Sequence, residues 1–143
     1  MVGLQGAGKS TWVRDHCAAA VVVSKDHWPH ARRREARQRR VVAELLAAGR
    51  SVVVDNTNAS VEDRAPLVAA ARLAGVPVRA VWLDTPLPTC FARNEERTGR
   101  ARVPAVGLYA TAARLVPPAL GEGFDAVQVV RPGPHGEAAD PRP

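Results

Sequence analysis

One stretch near the start constrains this chain more than any other. Gly3-Leu4-Gln5-Gly6-Ala7-Gly8-Lys9-Ser10-Thr11 fits Gly-x-x-x-x-Gly-Lys-Ser, the spacing of a phosphate-binding loop. Phosphate oxygens need several donors at once, and backbone N–H groups converge on them only where side chains do not intervene. The glycines meet that need. The loop opens a helix, whose amino end favours anions. Lys9 adds a cation for the β- and γ-phosphates, and the Ser10 hydroxyl suits a Mg²⁺ ion. Gly3, Gly6, Ala7, Gly8, Lys9, Ser10 and Thr11 are therefore expected to bind ATP. A phosphate loop does not choose among kinase, GTPase, motor and switch. Motors and switches generally need more chain than 143 residues, so a kinase is expected.

Downstream, short apolar runs alternate with longer helical patterns. Met1–Val2 reads as the stub of a strand, shorter than the usual roughly five or six residues, so that strand is expected to begin upstream. Strands are predicted at 21–23, 52–54, 78–83 and 126–130. Helices are predicted at 10–19, 31–48, 61–74, 88–97 and 105–115, with Gly49 and Gly75 as stop signals. Strands separated by helices predict an α/β fold, a parallel sheet with helices on both faces. Short all-apolar strands suit a sheet buried on both sides. One domain is expected over residues 1–130. Residues 131–143 are rich in Pro, Gly and charge and read as a disordered tail. In such sheets ligands bind at the carboxyl ends of the strands. The loop, Asp26, Asp55 and Asp84 all fall there.

Asp26 ends the second strand, where a carboxylate would accept the proton of an attacking hydroxyl; a turn aspartate or helix cap fits its position equally well. Lys25 beside it offers a compensating charge. Asp55 follows Val52-Val53-Val54 and leads Asn56-Thr57-Asn58. It suits Mg²⁺ or its waters, and Asp-Asn-Thr-Asn is also good turn chemistry. Asp84 reads as structural. Arg93 and Arg97, four apart, share one helix face. With Arg100 and Arg102 they suit a mobile lid that brings guanidinium groups onto the transferring phosphate; taken by itself the stretch favours the plainer reading, a solvated face neutralised by Glu95 and Glu96.

Arginine outnumbers lysine eighteen to two, and the net charge is +6, a positive field that draws in anions. Six arginines crowd into residues 31–40: Arg32, Arg33, Arg34, Arg37, Arg39 and Arg40. Guanidinium groups match phosphates bidentately, and Trp28 just upstream offers a surface on which a base would stack. A charged outer face is the plainer alternative. Cys17 and Cys90 have neither metal-site nor disulfide spacing and are expected to be small buried hydrophobes within helices. No apolar run reaches the length of a membrane span and no signal peptide precedes the loop, so a cytoplasmic protein with no membrane partner is expected.

Taken in order, these pieces resemble the kinase domain of polynucleotide 5′-hydroxyl kinases, including the kinase half of bifunctional end-healing enzymes. The matching residues are Gly-Ala-Gly-Lys-Ser-Thr at 6–11, Lys25-Asp26, Val-Asp-Asn-Thr-Asn at 54–58 with Arg64 behind it, and Ala-Gly-Val-Pro at 74–77. Cys90 with Arg93-Asn94-x-x-Arg97, Val103-Pro104, Tyr109 and Glu122-Gly123-Phe124 complete the series. The resemblance implies an adenylate-kinase-like parallel sheet with a short arginine lid. It implies transfer of the ATP γ-phosphate to the 5′-OH of a DNA or RNA strand, with Asp26 as general base. It further implies Arg93 and Arg97 on the phosphates, and Asp55 near the metal or the acceptor phosphate. Relatives often carry Arg-Asp or Ser-Asp where this chain has Lys25-Asp26. The arginine that holds the acceptor phosphate aligns equally with Arg33 and Arg37. No Asp-x-Asp-x-Thr phosphatase motif exists. Two other classes stay open: a kinase of a small-molecule hydroxyl (nucleoside, sugar or antibiotic), and a nucleotide-binding accessory domain without transferase activity.

Overall fold

A computed structural model describes residues 1–132. The elements run α1 (Lys9–His16), β1 (Val21–Val23), a 3-10 turn (Lys25–His27), α2 (Arg34–Ala47), β2 (Val52–Val54) and α3 (Val61–Ala74). Then come β3 (Arg79–Leu83), α4 (Leu87–Glu95), a 3-10 turn (Gly99–Ala101), α5 (Ala105–Arg114), a 3-10 turn (Leu120–Glu122) and β4 (Ala126–Val130). β1 pairs with β2 in parallel, Val22 opposite Val53. β3 pairs with β4 in parallel, Val81 opposite Gln128. The segment Met1–Gly3 joins the two pairs. On one side the Met1 nitrogen donates to Val54 O at 2.9 Å and Gly3 N donates to Thr57 O. On the other, Val2 N donates to Val81 O, Leu83 N donates to Val2 O, and Val2 bridges Trp82 in parallel. The result is one parallel arrangement in the order β1, β2, the amino-terminal segment, β3, β4.

Side chains alternate along β3, so Val81 and Leu83 share a face. They join Leu4, Ala7, Trp12, Val13, Cys90, Leu108 and Val130 in a buried cluster, which places α1, α4 and α5 over that face. Ala80 points the other way and is also buried. On that side α2 and α3 pack on one another, with α2 against β1 and β2. The expected two-faced α/β architecture is thus observed. No helix among the described residues is long and apolar enough to cross a membrane.

The strands at 21–23, 52–54 and 126–130 and the helix at 61–74 fall where the sequence predicts. Local chemistry explains α3 well. Ser60 Oγ accepts from Asp63 N at 3.1 Å while Asp63 Oδ2 accepts from Ser60 N at 3.1 Å, a capping box. Gly75 closes the helix at φ 68°, where a Cβ would be strained. Other boundaries move. α1 stops at His16 because Cys17 leaves helical geometry at φ −128°. Cys17 therefore lies outside the helix and partly exposed, unlike fully buried Cys90. α2 starts at Arg34, not Ala31, because Arg33 takes a left-handed conformation. The expected tail falls mainly on residues 133–143, outside the described residues.

Arg64 is 1% exposed and ties the carboxyl side of β2 to the far end of the chain. Its Nε and Nη2 donate to the Glu122 carboxylate at 2.8 and 3.1 Å. Its Nη1 donates to the carbonyls of Asn58, Ala59 and Val116. Removing one member of a buried pair strands the other charge. Glu122→Ala should cost about 3–5 kcal/mol in urea unfolding; a loss below about 1 kcal/mol, typical of exposed pairs, would show that the carbonyls alone satisfy Arg64.

Candidate active site

The loop between Met1–Gly3 and α1 wraps round an amine. Lys9 Nζ donates to Gly3 O at 2.9 Å and to Leu4 O at 2.7 Å, which draws the loop into a ring. Gly8 precedes α1 at φ 100° with no side-chain cap, so the first amides of α1 have no partner within the helix. The absent side chain at Gly6 is a steric necessity. Its φ is +79°, and a Cβ there would sit 2.6 Å from Cys90 O. The loop thus rests directly on the α4 backbone. Thr85 Oγ1 donates to Ala7 O at 2.8 Å and Arg93 Nη1 donates to Gly6 O at 3.3 Å, holding the loop's outer carbonyls. Gln5 Nε2 donates to Thr111 Oγ1 of α5.

At the ends of β1 and β2 the two acids meet this loop differently. Ser10 Oγ donates to Asp55 Oδ2 at 2.6 Å. This oxygen pair suits Mg²⁺, a hard cation that keeps several waters and takes only one or two protein ligands; no cluster of three or more His, Cys, Asp or Glu residues exists among the described residues. Asp26 is exposed on the 3-10 turn after β1, with its N–H capped by Ser24 Oγ. Lys25 does not serve as its counter-charge; the amine pairs with Glu35 of α2. Burial lowers the Lys9 pKa to about 8; Asp55 pulls it up, Arg97 pushes it down, and Asp26 also favours the charged form.

The arginines separate into distinct groups. Arg93 lies on α4, whereas Arg97 falls just past the helix end at Glu95, so they do not share a helix face. Both still line one groove of about 590 Å³ with Gly6, Gly8, Thr11 and Pro132. Of the two acids that would neutralise them, Glu95 pairs with Arg102 at 2.6 Å, while Glu96 is in none of the ion pairs of the described residues. The segment between Asn94 and Val103 is pinned at its neck, which sequence reading missed. Asn94 is fully buried; its Nδ2 donates to Val103 O at 2.7 Å and its Oδ1 accepts from Val103 N at 2.9 Å. The asparagine inside Arg-Asn-x-x-Arg was the available signal. At the start of α2, Arg37 lies over the Trp28 ring at 4.8 Å, and Arg33 is the left-handed residue before the helix. Arg100 Nη1 and His30 Nε2 meet at 2.9 Å, joining the 3-10 turn at Gly99–Ala101 to the turn that follows Trp28. A separate, mostly apolar cavity of about 470 Å³ is lined by β2, β3 and residues of α2 and α3 and includes no residue of the phosphate loop.

Residues 1–118 match the family described as the AAA domain. Among solved structures, an unliganded sugar kinase from Janibacter sp. HTCC2649 is similar at a TM-score of 0.68. It shares 18% identity over 91% of this chain and 82% of that one. The APS kinase of Mycobacterium tuberculosis, in complex with AMPPNP and APS, is similar at a TM-score of 0.57. It shares 22% identity over 90% of this chain and 84% of that one. The fold is that of P-loop kinases.

Two outcomes follow from this geometry. The Lys9 amine, at about pKa 8 when buried, regains its proton if a polyphosphate occupies the loop, because an adjacent anion favours the charged form. Above about pH 8 binding should therefore take up a proton, and well below it none. Calorimetry of ADP binding at pH 8.5, where the nucleotide phosphates are already fully ionised, in buffers of different ionisation enthalpy reads this directly; buffer-independent heat would show that Lys9 is not the anion's partner. Asn94→Ala removes both bonds at the neck of the 95–103 segment. It should speed amide exchange there by about tenfold, the worth of roughly one net hydrogen bond, while β3 stays protected. Unchanged exchange would mean the segment is held by other contacts.

Proposed function

Because the chain belongs to the AAA domain family, we propose that it is an ATP-dependent kinase that phosphorylates a hydroxyl, the 5′-OH of a DNA or RNA strand. The observation that carries the kinase reading is geometric: beside the loop that closes on Lys9, Ser10 Oγ donates to Asp55 Oδ2 at 2.6 Å, at the carboxyl edge of a parallel sheet. In this reading the loop from Gly3 to Thr11 cradles the ATP phosphates. Ser10 and Asp55 would hold Mg²⁺, which would offset phosphate charge. Asp26 orients the acceptor hydroxyl and takes its proton as the oxygen–phosphorus bond forms and the bond to the bridging oxygen breaks, releasing ADP. Arg93 and Arg97 stabilise charge on the transferring group.

The strand acceptor rests on the start of α2. Arg32, Arg33, Arg34 and Arg37 are exposed, and none of them is among the ion pairs of the described residues. Cations at a helix amino end oppose its dipole, so this placement is unfavourable until an anion arrives. Arg37, stacked on Trp28, offers a pre-oriented fork beside a ring on which a base would stack. The second reading, a small-molecule acceptor, is favoured by the two structural neighbours, which are named for sugar and APS.

Labelled ATP offered to 5′-OH oligonucleotides and to a panel of small alcohols separates the readings. Label should appear on the oligonucleotide 5′ end. Asp26→Asn should lower kcat by about a hundredfold with ATP affinity unchanged, and neutralising Arg33 and Arg37 should raise the oligonucleotide KM and flatten its salt dependence. Label only on a small alcohol would select the second reading, and label on nothing would reject the kinase.

A further inference from the structure

Gln38 stands where the α2 core face expects an apolar side chain. It lies one turn before Val42, and both are 4% exposed. Burying an amide is costly unless its polar atoms are satisfied, and the partner here is specific. Gln38 Oε1 accepts from Asn56 Nδ2 at 2.7 Å, and Asn56 Oδ1 accepts from Lys25 N at 3.0 Å. The order of donors is forced. Lys25 N–H can only donate, so the Asn56 oxygen must face it; the Asn56 amide then donates onward, and Gln38 must present its oxygen. Asn56 directly follows Asp55, whose own N–H donates to Val23 O at 2.9 Å. The chain Gln38–Asn56–Lys25 therefore crosslinks three elements: α2, the loop after β2, and the turn that carries Asp26.

We infer that Gln38 is a positioning residue for the acceptor side of the site, acting through Asn56 to fix the Lys25–Asp26 turn against the Asp55 loop. This deepens the kinase reading and rests on it for its catalytic consequence. Among the described residues the turn has only one other side-chain anchor on its backbone, the Ser24 Oγ cap on Asp26 N–H at 3.2 Å. The Lys25–Glu35 pair adds a second tether to α2, but through an exposed carboxylate rather than the backbone. A carboxylate that slips by about an ångström loses much of its effect on a hydroxyl, a cost of order a hundredfold in favourable cases. The same helix carries Arg37, with Arg33 just before its start, so the crosslink also bears on where those guanidinium groups stand relative to Asp26.

The test exploits the one-way hydrogen-bond logic. Gln38→Glu keeps an acceptor for Asn56 Nδ2, whereas Gln38→Met keeps the length but removes it. In Gln38→Met, amide exchange at Lys25 should rise about tenfold or more while that of Val81 in β3 does not change; Gln38→Glu should keep the wild-type rate at both. Unchanged exchange at Lys25 in Gln38→Met overturns the inference whether or not the chain is a kinase. In turnover, Gln38→Met should lower kcat for the acceptor by about tenfold or more with the KM for ATP unchanged, and Gln38→Glu should restore it. In the Asp26→Asn background the same Gln38→Met change should add nothing, because the two act through one group. Additive losses would overturn the inference and leave the kinase reading standing. Should Gln38→Met fail to fold, Asn56→Ala breaks the same chain from its middle and is read by the same exchange at Lys25 and the same cycle with Asp26→Asn.

Discussion

The segment Met1–Gly3 is hydrogen-bonded on both edges, to the β2 side through Val54 and Thr57 and to β3 through Val81 and Leu83. It is the middle of the sheet, and the phosphate loop is its direct continuation. That loop cannot shift without breaking the sheet behind it, and it cannot sag toward α4 because the Cys90 carbonyl already touches the space a Gly6 side chain would need. A preorganised anion site follows from these two constraints. The ring closed by Lys9 is also held from outside by Thr85 and Arg93.

Arginine does three different jobs here, and burial separates them. Arg64 is interior and saturated with acceptors, a bracket between the loop after β2 and Glu122. Arg93 and Arg97 border the groove over the phosphate loop. The arginines before and within the first turns of α2 face solvent, in the one place where the helix dipole disfavours them. Composition registers all of these as one excess of positive charge. Only position decides which charge is buried in the fold and which stays at the surface.

The local parts of this molecule were legible in the amino-acid order. Three short strands and α3 lie where periodicity and stop signals put them, because Ser60, Asp63 and Gly75 act within a few residues of the helix they bound. Helix ends that depend on one residue's backbone conformation were not legible: Arg33 and Cys17 turn the chain out of helical geometry with no local signature. The same holds for Arg97, which lies beyond α4, so its place in the groove comes from the turn after the helix and not from a shared face with Arg93.

What the sequence alone determined is the phosphate loop, the alternation of strands and helices, and the fact that loop and acids gather at one edge. Each of these follows from contiguous residues or from the parallel topology that alternation imposes. What only the tertiary structure decided is partnership: Ser10 with Asp55, Lys25 with Glu35 and not Asp26, Arg64 with Glu122, Gln38 with Asn56. Most of these partners are far apart along the chain, so no local pattern encodes the match. They meet because parallel strands stack their carboxyl ends side by side, and that register is set by the packing of the whole sheet.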